Sequence, residues 1–243
     1  MLVAIHQPHY LPWLGYLDRM READLFIVLD HVQFERRNYQ NRTRILFDGI
    51  SRWLTVPVIQ QSQLERIVEK QVDNRLDSER KWWGTRQFNM LRHAYRDAPY
   101  FDVYAPRLLE IMEMRHERLV DLNSEMLTFL REVFNINTPL INSSELNVGG
   151  QRSDLILNLL KDVGASTYLA GMGGSRAYLN RDEFEAAGID IRWQNFRHPV
   201  YSQCGGGSFV PGLSAIDLLF NHGPESRHVL LGDIPEPYVA DLG

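Results

Sequence analysis

The sequence has very little cysteine and no long apolar segment. Its one cysteine, Cys204, cannot form a disulfide within the chain, so we expect a reducing compartment. No stretch approaches the roughly 18 consecutive apolar residues of a membrane span. The amino terminus enters the apolar run Leu2-Val3-Ala4-Ile5 without the basic region of a secretory signal. A cytoplasmic protein with no membrane span is therefore expected.

An excess of positive charge is also missing. The 26 Lys and Arg residues are outnumbered by 31 Asp and Glu, for a formal net charge of -5. General nucleic-acid binding depends on a surplus of cationic side chains, so we do not expect it here. We expect a small anionic metabolite as the partner instead. Assembly into a homo-oligomer is left open.

Apolar runs alternate with helical patterns, which predicts an α/β fold. A strand over Leu2–Ile5, a helix over Trp13–Glu22 and a strand over Leu25–Leu29 form the start of a βαβ unit. The alternation resumes later, with strands over Thr138–Ile141, Thr167–Ala170 and Ile189–Trp193 and helices over Asp154–Val163 (with Ser153 as N-cap), Arg181–Ala187 and Ser214–Asn221. We predict one α/β domain over residues 1–243, with a mostly parallel sheet of Rossmann-like type.

The middle of the chain is different and predicts an insertion. Tyr39–Phe47 and Ser51–Val58 flank Asp48-Gly49, a dipeptide that favours a tight hairpin turn. Apolar residues at helical spacing then predict a helical block at about 81–135, made of Lys81–Asp97, Val103–Arg115 and Leu119–Phe134. The sheet should therefore carry an added β-hairpin and a helical insertion.

Polar and aromatic side chains cluster directly after the first predicted strand. Ligands of open α/β sheets bind beyond the carboxyl ends of the strands, and Pro8 and Pro12 stiffen this loop. We predict a catalytic role for His6 and substrate-binding roles for Gln7, His9, Tyr10 and Trp13. The alternative is a structural loop whose His6 and Gln7 satisfy buried backbone groups.

The same edge of the sheet should carry further polar residues. Asp30 and Gln33 follow the second strand and are predicted to bind substrate, although a surface loop would show the same pattern. His6 and His9 also resemble a metal-binding pair, but their spacing around a proline is not helical and no cysteine or carboxylate cluster accompanies them. No metal is expected.

A dense cationic and amide-rich stretch lies within the predicted hairpin. Arginine binds phosphate or carboxylate through two hydrogen bonds, and Asn and Gln recognise sugar hydroxyls or amides. An anionic metabolite such as a nucleotide-linked sugar is therefore the predicted ligand, and a solvated hairpin face is the alternative. The candidate residues are Arg37, Gln40, Asn41, Arg42 and Arg44.

Two later loops complete the predicted site. Glycines after the predicted strand Thr167–Ala170 expose backbone amides to an anion or simply form a tight turn. The pattern is neither a P-loop nor G-x-G-x-x-G. The candidate binding residues there are Gly171, Gly173, Gly174 and Tyr178. In the second loop, His198-Pro199 precedes Tyr201 and Gln203, and these three polar side chains are predicted to be catalytic. Cys204 is a candidate nucleophile for which the sequence supplies no partner. We expect the His6 and His198 segments to converge on one rim.

The opening motif and several later segments resemble the WbqC-like protein family over almost the whole chain. The matching segments are Ile5-His6-Gln7-Pro8-His9-Tyr10-Leu11-Pro12-Trp13-Leu14-Gly15-Tyr16, Asp24, Asp30, Val32-Gln33-Phe34, Gln40-Asn41-Arg42, Trp53-Leu54-Thr55-Val56-Pro57, Tyr168-Leu169-Ala170-Gly171, Tyr178-Leu179, His198-Pro199-Val200-Tyr201-Ser202-Gln203, Phe209-Val210-Pro211, Leu213-Ser214-Ala215-Ile216-Asp217 and Asn221-His222-Gly223. The resemblance implies a bacterial protein of O-antigen, other surface-polysaccharide or specialised-metabolite assembly. It implies no particular reaction.

A second resemblance concerns the fold. The strand, the proline loop and the x-Gly-x at the start of the first helix are similar to the opening of HIGH-type nucleotidyltransferases and pantothenate synthetases, which implies a HUP-like sheet. In those enzymes His-x-Gly-His cradles ATP phosphates, whereas this chain has Trp13-Leu14-Gly15-Tyr16. Because both histidines are absent, adenylyl transfer by that mechanism is in doubt, and ATP stays a candidate cofactor only.

Two hypotheses of different classes follow. The first is a transferase or amide-forming ligase that modifies the amine of a nucleotide-linked sugar or similar metabolite by acyl transfer, aminoacyl transfer or ATP-dependent amide formation. In it, His6 or His198 is the general base, and Arg37, Arg42 and Arg44 hold the anionic part of the substrate. The second is a noncatalytic binding or scaffold protein of the same pathway. Convergence of the polar loops would favour catalysis.

Overall fold

The computed structural model of the protein describes residues 1–76, 81–173 and 179–234. In these residues the strands are β1 Leu2–His6, β2 Leu25–Val28, β3 Arg42–Phe47, β4 Ile50–Thr55, β5 Leu140–Asn142, β6 Thr167–Ala170 and β7 Asp190–Trp193. The described α-helices are α1 Leu14–Glu22, α2 Trp83–Tyr95, α3 Phe101–Glu113, α4 Leu119–Val133, α5 Arg152–Asp162, α6 Arg181–Ala186, α7 Ala215–His222 and α8 Ser226–Leu231.

Five strands form a parallel sheet in the order β5-β2-β1-β6-β7. The chain builds outward from β1 to β2 and β5, and then crosses back to place β6 on the other side of β1. The strand order therefore reverses between β1 and β6, which is the position where doubly wound sheets bind their ligands. The predicted α/β fold with a Rossmann-like sheet is confirmed.

Alternate residues of the central strands pack against two different layers. Val3, Ile27 and Tyr168 belong to the core cluster under α5 and α6. Ala4 and Phe26 belong to a larger cluster with α1, the helical insertion and α7. Because side chains alternate along a strand, this pattern covers both faces of the sheet, as a parallel sheet requires.

The insertion between β2 and β5 contains the predicted hairpin and helices. Strands β3 and β4 pair antiparallel, and Asp48 and Gly49 connect them with φ values of 51° and 75°. Two consecutive left-handed residues match the right-handed twist of a hairpin, which explains the choice of Asp-Gly. Helices α2, α3 and α4 follow, and none of the described helices is long and apolar enough to cross a membrane.

One predicted helix start is wrong. Helix α5 begins at Arg152 with Gln151 as its N-cap, so Ser153 lies inside the first turn. The Ser153 hydroxyl instead accepts a hydrogen bond from the Asn180 backbone N–H at 2.9 Å. The Ser153 side chain was predicted to cap the helix, but it makes a tertiary hydrogen bond to the segment before α6 instead.

Candidate functional site

The loop between β1 and α1 is fixed by hydrogen bonds from distant parts of the chain. The Leu11 carbonyl accepts the hydroxyls of Thr43 and Ser214 at 2.9 and 2.8 Å. The Pro12 carbonyl accepts the Ala215 N–H at 2.8 Å. The hairpin and α7 therefore both hold this loop, and side chains on it are preorganised.

A cavity of about 560 Å³ lies where the strand order reverses. We call it the switch-point cavity. Its lining comes from the ends of β1, β6 and β7, from α1 and from the segment that precedes the hairpin. The lining residues are Ile5, His6, Gln7, Trp13, Arg19, Leu29, Glu35, Asn38, Ile156, Tyr168, Gly171, Met172, Gly173, Gln194 and Phe196.

His6 is held in one tautomer at the end of β1. Its Nδ1 lies 2.9 Å from the Gln7 carbonyl oxygen. A carbonyl oxygen only accepts, so Nδ1 carries the proton and Nε2 is the basic atom of the ring. Burial lowers the pKa of His6 well below its usual 6.5, and nearby Arg19 lowers it further. His6 is therefore a neutral acceptor at neutral pH.

His6 belongs to a tight cluster of rings. Its ring centroid lies 4.5 Å from that of His9 and 4.8 Å from that of Tyr16. The His9 ring also stacks on Tyr39 at 5.3 Å. Burial lowers the pKa of His9 to about 3, with Arg19 adding to the effect. Both imidazoles are thus uncharged beside a permanently charged guanidinium.

Arg19 supplies the cation of this cavity, and a glycine makes room for it. Arg19 extends from α1 and is only 6% exposed. A Cβ atom on Gly171 would lie 2.3 Å from an Arg19 guanidinium nitrogen. Because Gly171 has no side chain, the Arg19 guanidinium can lie against the end of β6. The sequence had predicted that an anion binds at this glycine loop.

An aromatic wall closes another side of the cavity. A Cβ on Gly15 would lie 2.2 Å from the Trp13 ring, so the glycine lets the indole fold over the first turn of α1. The Trp13 ring meets Phe196 at a centroid distance of 5.5 Å. Beside them, Gln194 donates from Nε2 to the Gly15 carbonyl and to Asp18 Oδ2, at 2.9 and 2.8 Å. The Trp13-Leu14-Gly15-Tyr16 motif thus shapes an apolar wall.

Two predicted binding residues support the loop from behind. Buried Gln40 donates from Nε2 to Gln7 Oε1 at 2.8 Å and accepts the Glu35 N–H at 2.9 Å. The Tyr10 hydroxyl is buried and donates to Gln87 Oε1 at 2.8 Å. Both side chains use their polar atoms within the protein, so they position the cavity wall rather than line it.

The two residues predicted after β2 have separate surroundings. The Asp30 carboxylate is buried and accepts the hydroxyls of Ser143 and Ser144 at 3.0 and 2.6 Å. It therefore ties the end of β2 to the turn that follows β5. Gln33 is exposed and donates to the Gln63 carbonyl at 2.7 Å. Neither residue is among the described residues that line the switch-point cavity.

The predicted arginine cluster forms a second cavity beside the first. Its volume is about 620 Å³, and Arg36, Arg37, Asn41 and Arg42 line it. We call it the arginine cavity. Arg42 donates to the Arg37 carbonyl and stacks on Trp53, with its guanidinium carbon 3.9 Å from the ring centroid. Since Glu35 and Asn38 line the switch-point cavity, residues 35–38 contribute to both cavities.

Arg44 lies outside the lining of the arginine cavity, and the predicted glycine-loop residues are only partly described. The Arg44 guanidinium lies 5.5 Å from the Trp53 ring and is not among the described residues that line the arginine cavity. Gly173 lines the switch-point cavity together with Gly171. Gly174 and Tyr178 lie outside the described residues.

The second histidine loop uses its polar groups in internal hydrogen bonds. His198 Nδ1 donates to the Pro199 carbonyl at 2.9 Å, and Nε2 accepts the Gly212 N–H at 3.1 Å. The Tyr201 hydroxyl and Gln203 Nε2 both donate to Asp217 Oδ2, at 2.9 and 2.8 Å. Both nitrogens of the His198 ring are therefore engaged with backbone groups.

The two histidine loops approach each other through Phe196. That ring lines the switch-point cavity and lies 5.8 Å from the His198 ring, centroid to centroid. His198, Tyr201 and Gln203 are not among the described residues that line the cavity. Cys204 is half-buried, and burial raises the pKa of its thiol to about 11, which disfavours a thiolate nucleophile.

Several polar residues of the site were not predicted from the sequence. Arg19 and Gln194 line the switch-point cavity and Tyr16 contacts His6, but they lie on a helix or just after an edge strand rather than in a loop after a central strand. Glu35 and Asn38, which also line the cavity, were not among the predicted site residues either. A usable signal existed for Arg19, because it lies four residues after Gly15 and three after Tyr16, on one side of α1. The described residues contain no group of three His, Cys, Asp or Glu side chains placed to hold a metal.

Replacing Gly171 by alanine is expected to weaken anion binding about 10- to 100-fold, the loss of a charge-assisted hydrogen bond of roughly 1.5–3 kcal/mol. The new methyl group would occupy the position of the Arg19 guanidinium, which is the end of a flexible side chain and moves before the strand does. Titration calorimetry with inorganic pyrophosphate measures the effect in a protein that carries Arg36→Ala, Arg37→Ala and Arg42→Ala, because those three arginines line the arginine cavity and would bind the probe there.

Gly173→Ala is the matched control, because a Cβ there meets nothing within 4 Å and the residue lines the same cavity. Made in the same triple-alanine background, it should bind pyrophosphate as that background does. Equal affinity in the two alanine variants would remove Arg19 from anion binding.

Comparison with known proteins gives two matches. A sequence model of the WbqC-like protein family matches residues 7–229. The uncharacterized protein Rv1507c of Mycobacterium tuberculosis (strain ATCC 25618 / H37Rv) is 31% identical over 230 residues, which cover 94% of this chain and 96% of that protein. No solved structure gives a significant match.

Proposed function

The chain belongs to the WbqC-like protein family, and we propose that it is an enzyme that forms an amide on the amine of a nucleotide-linked sugar or similar metabolite. The setting that we propose is bacterial surface-polysaccharide or specialised-metabolite assembly. The family resemblance supports the setting. The observation that carries the reaction is a neutral His6 and a buried Arg19 lining one cavity where the strand order reverses.

The proposed chemistry needs a base and a cation within one cavity. An amine nitrogen attacks an acyl carbon, a C–N bond forms, and the bond from the acyl carbon to its leaving group breaks. His6 Nε2 takes the amine proton, since Nδ1 already donates to the Gln7 carbonyl. Arg19 stabilises the negative charge that develops on the acyl oxygen.

The arginine cavity is the proposed site for the anionic part of the substrate. Arg36, Arg37 and Arg42 line it, and guanidinium groups bind phosphate through two hydrogen bonds. Arg36 and Arg37 line this cavity and their neighbours Glu35 and Asn38 line the switch-point cavity, which supports a substrate with its phosphates here and its amine near His6. Asn41 Nδ2 donates to the Val56 carbonyl at 2.8 Å, so Asn41 would meet a sugar hydroxyl in the same cavity with its Oδ1 as acceptor.

The second histidine loop has a positioning role in this proposal. His198 fixes Gly212, while Tyr201 and Gln203 hold Asp217. These contacts set the position of Phe196, which closes the switch-point cavity next to Trp13. His6, rather than His198, is then the general base.

Amide formation by the full chain tests the proposal. Amine-bearing nucleotide sugars are incubated with an acyl-coenzyme A thioester, with ATP and a carboxylic acid, or with ATP and an amino acid. Mass spectrometry should detect the amide in one of these mixtures with wild-type protein. The ATP mixtures also decide whether ATP is used.

A noncatalytic scaffold is the competing function, favoured by the engagement of Tyr201 and Gln203 with Asp217 instead of the cavity. A nucleotide sugar that raises the melting temperature without forming any product would support it. If no nucleotide sugar gives a product or raises the melting temperature, both functions are excluded.

A further inference from the structure

One carboxylate lines the switch-point cavity, and the proposed reaction does not use it. Glu35 is exposed on the segment between β2 and the hairpin, and it is the only Asp or Glu among the described residues that line this cavity. Arg19 is the only Lys or Arg among those residues, and His6 is neutral. The described lining therefore carries one negative and one positive side chain.

One buried side chain fixes the position of Glu35 relative to the His6 loop. The Glu35 N–H donates to Gln40 Oε1 at 2.9 Å, and Gln40 Nε2 donates to Gln7 Oε1 at 2.8 Å. Gln40 is fully buried, and Gln7 follows His6 directly in the chain. Two hydrogen bonds thus connect the backbone of Glu35 to the residue beside the proposed base.

The Glu35 carboxylate is oriented by Asn38, which lines the same cavity. The Tyr39 N–H donates to Asn38 Oδ1 at 2.7 Å, which turns Asn38 Nδ2 toward Glu35. Nδ2 then donates to Glu35 Oε2 at 2.9 Å. The other oxygen, Oε1, makes no hydrogen bond or ion pair to another described residue. It is therefore an acceptor on the cavity wall that a ligand can use.

A carboxylate in this position suits a protonated amine. A primary amine is largely protonated near neutral pH, and hydrogen bonds from an ammonium group to a carboxylate are among the stronger ones in proteins. A hydroxyl group at the same position carries no charge, so it gains much less from Glu35. Arg19, the other charge of the cavity, repels an ammonium group. An amine therefore belongs at the Glu35 side of the cavity.

We propose that Glu35 binds the ammonium group of the substrate and makes the switch-point cavity selective for an amine over a hydroxyl. This inference rests on the proposed function, because it concerns the amine that the reaction acylates. Glu35 has a role in substrate binding only, and the proton transfer stays with His6. Since selectivity is a property of binding, it is measurable without an acyl donor or any product.

The test is titration calorimetry of the full chain with pairs of nucleotide sugars that differ only in an amino or a hydroxyl group. Uridine diphosphate glucosamine and uridine diphosphate glucose are one pair. Nucleotide sugars with the amine at another ring carbon are compared with their hydroxyl counterparts in the same way. Wild-type protein should bind at least one amine about tenfold more tightly than its hydroxyl counterpart, the contribution of one charge-assisted hydrogen bond.

The variant Glu35→Gln removes the charge and keeps the shape of the side chain. Its affinity for the amine-bearing sugar should fall about tenfold. Its affinity for the hydroxyl counterpart should stay the same or rise slightly, because a negative charge near the bound phosphates is gone. Glu132→Gln is the matched control, since Glu132 is exposed on α4 and outside the described cavity lining. It should keep the wild-type preference.

The outcomes separate this inference from the proposed function. Wild-type binding without a preference for the amine, or a preference that survives Glu35→Gln, would overturn the role of Glu35 and leave amide formation standing. Equal weakening of both sugars by Glu35→Gln would make Glu35 a structural residue of its segment. If the wild type binds no nucleotide sugar at all, the proposed function fails and this inference fails with it.

Discussion

Replacing His6 by alanine is expected to lower the rate of amide formation by about 10²- to 10⁴-fold, the usual contribution of a positioned general base. The structure fixes the His6 tautomer through the Gln7 carbonyl, so Nε2 is the atom that takes the proton. Without the imidazole, the attacking amine must lose its proton to water. The measurement is the initial rate of product formation by mass spectrometry, with the melting temperature recorded for each variant.

His228→Ala is the control for this experiment, because His228 is an exposed histidine on α8, outside the described cavity lining. It should retain the wild-type rate. A His6→Ala variant that keeps both its melting temperature and its activity would exclude His6 as the base. Loss of the fold itself would instead assign the ring to the core cluster that it forms with His9 and Tyr16.

The pH dependence of the same reaction follows from the sign of the His6 shift. Its pKa lies well below 6.5, so the ring stays neutral as the pH falls from about 8 to about 6. The rate ratio of wild type to His6→Ala should therefore be constant over that range and fall only in more acidic solution. A decline centred at or above pH 6.5 would show that His6 is not held neutral.

Much of the architecture could be predicted from sequence because its signals are local. The apolar run of β1, the helical spacing of α1 and the Asp48-Gly49 turn each specify their own conformation. Consecutive parallel strands then restrict the topology, because crossovers are right-handed. The single-domain organisation stays a prediction.

The candidate site was only partly predictable, since tertiary packing decides which polar groups reach a cavity. His6 and Gln7 were found because strand ends are a general rule for ligand sites. Arg19 reaches the cavity only because Gly171, about 150 residues later, lacks a side chain. Tyr201 and Gln203 have the same polar composition as site residues, yet Asp217 occupies their hydrogen-bonding groups.

Asp217 should make the stability of the protein depend on pH in an unusual direction. Its carboxyl group is fully buried, and burial raises its pKa from 3.8 to about 6 despite hydrogen bonds from Tyr95, Tyr201 and Gln203. The folded protein therefore keeps this proton up to a higher pH than the unfolded chain does. Between about pH 4 and pH 6, unfolding releases a proton, so the free energy of unfolding falls as the pH rises.

The expected size of this loss is about 3 kcal/mol, since each pKa unit corresponds to about 1.4 kcal/mol. Asp217→Asn cannot titrate and should lack it. Urea denaturation of both proteins at several pH values from about 4 to 7 measures the difference. The other carboxylates contribute equally to the stability of both proteins. The difference in the free energy of unfolding between wild type and variant therefore reports the contribution of Asp217 alone. A difference that does not change with pH would mean that Asp217 keeps an ordinary pKa.

The substitution Tyr201→Phe tests whether the second histidine loop influences the pH dependence of stability that Asp217 produces. The Tyr201 hydroxyl donates to Asp217 Oδ2, which favours the charged carboxylate, so its removal should raise the pKa of Asp217 further. The fall in stability should then extend beyond pH 6. If Tyr201 only positions Asp217, amide formation by the folded variant keeps the wild-type pH profile. A rate loss of about 10²-fold or more without a change in stability would instead give Tyr201 a catalytic role.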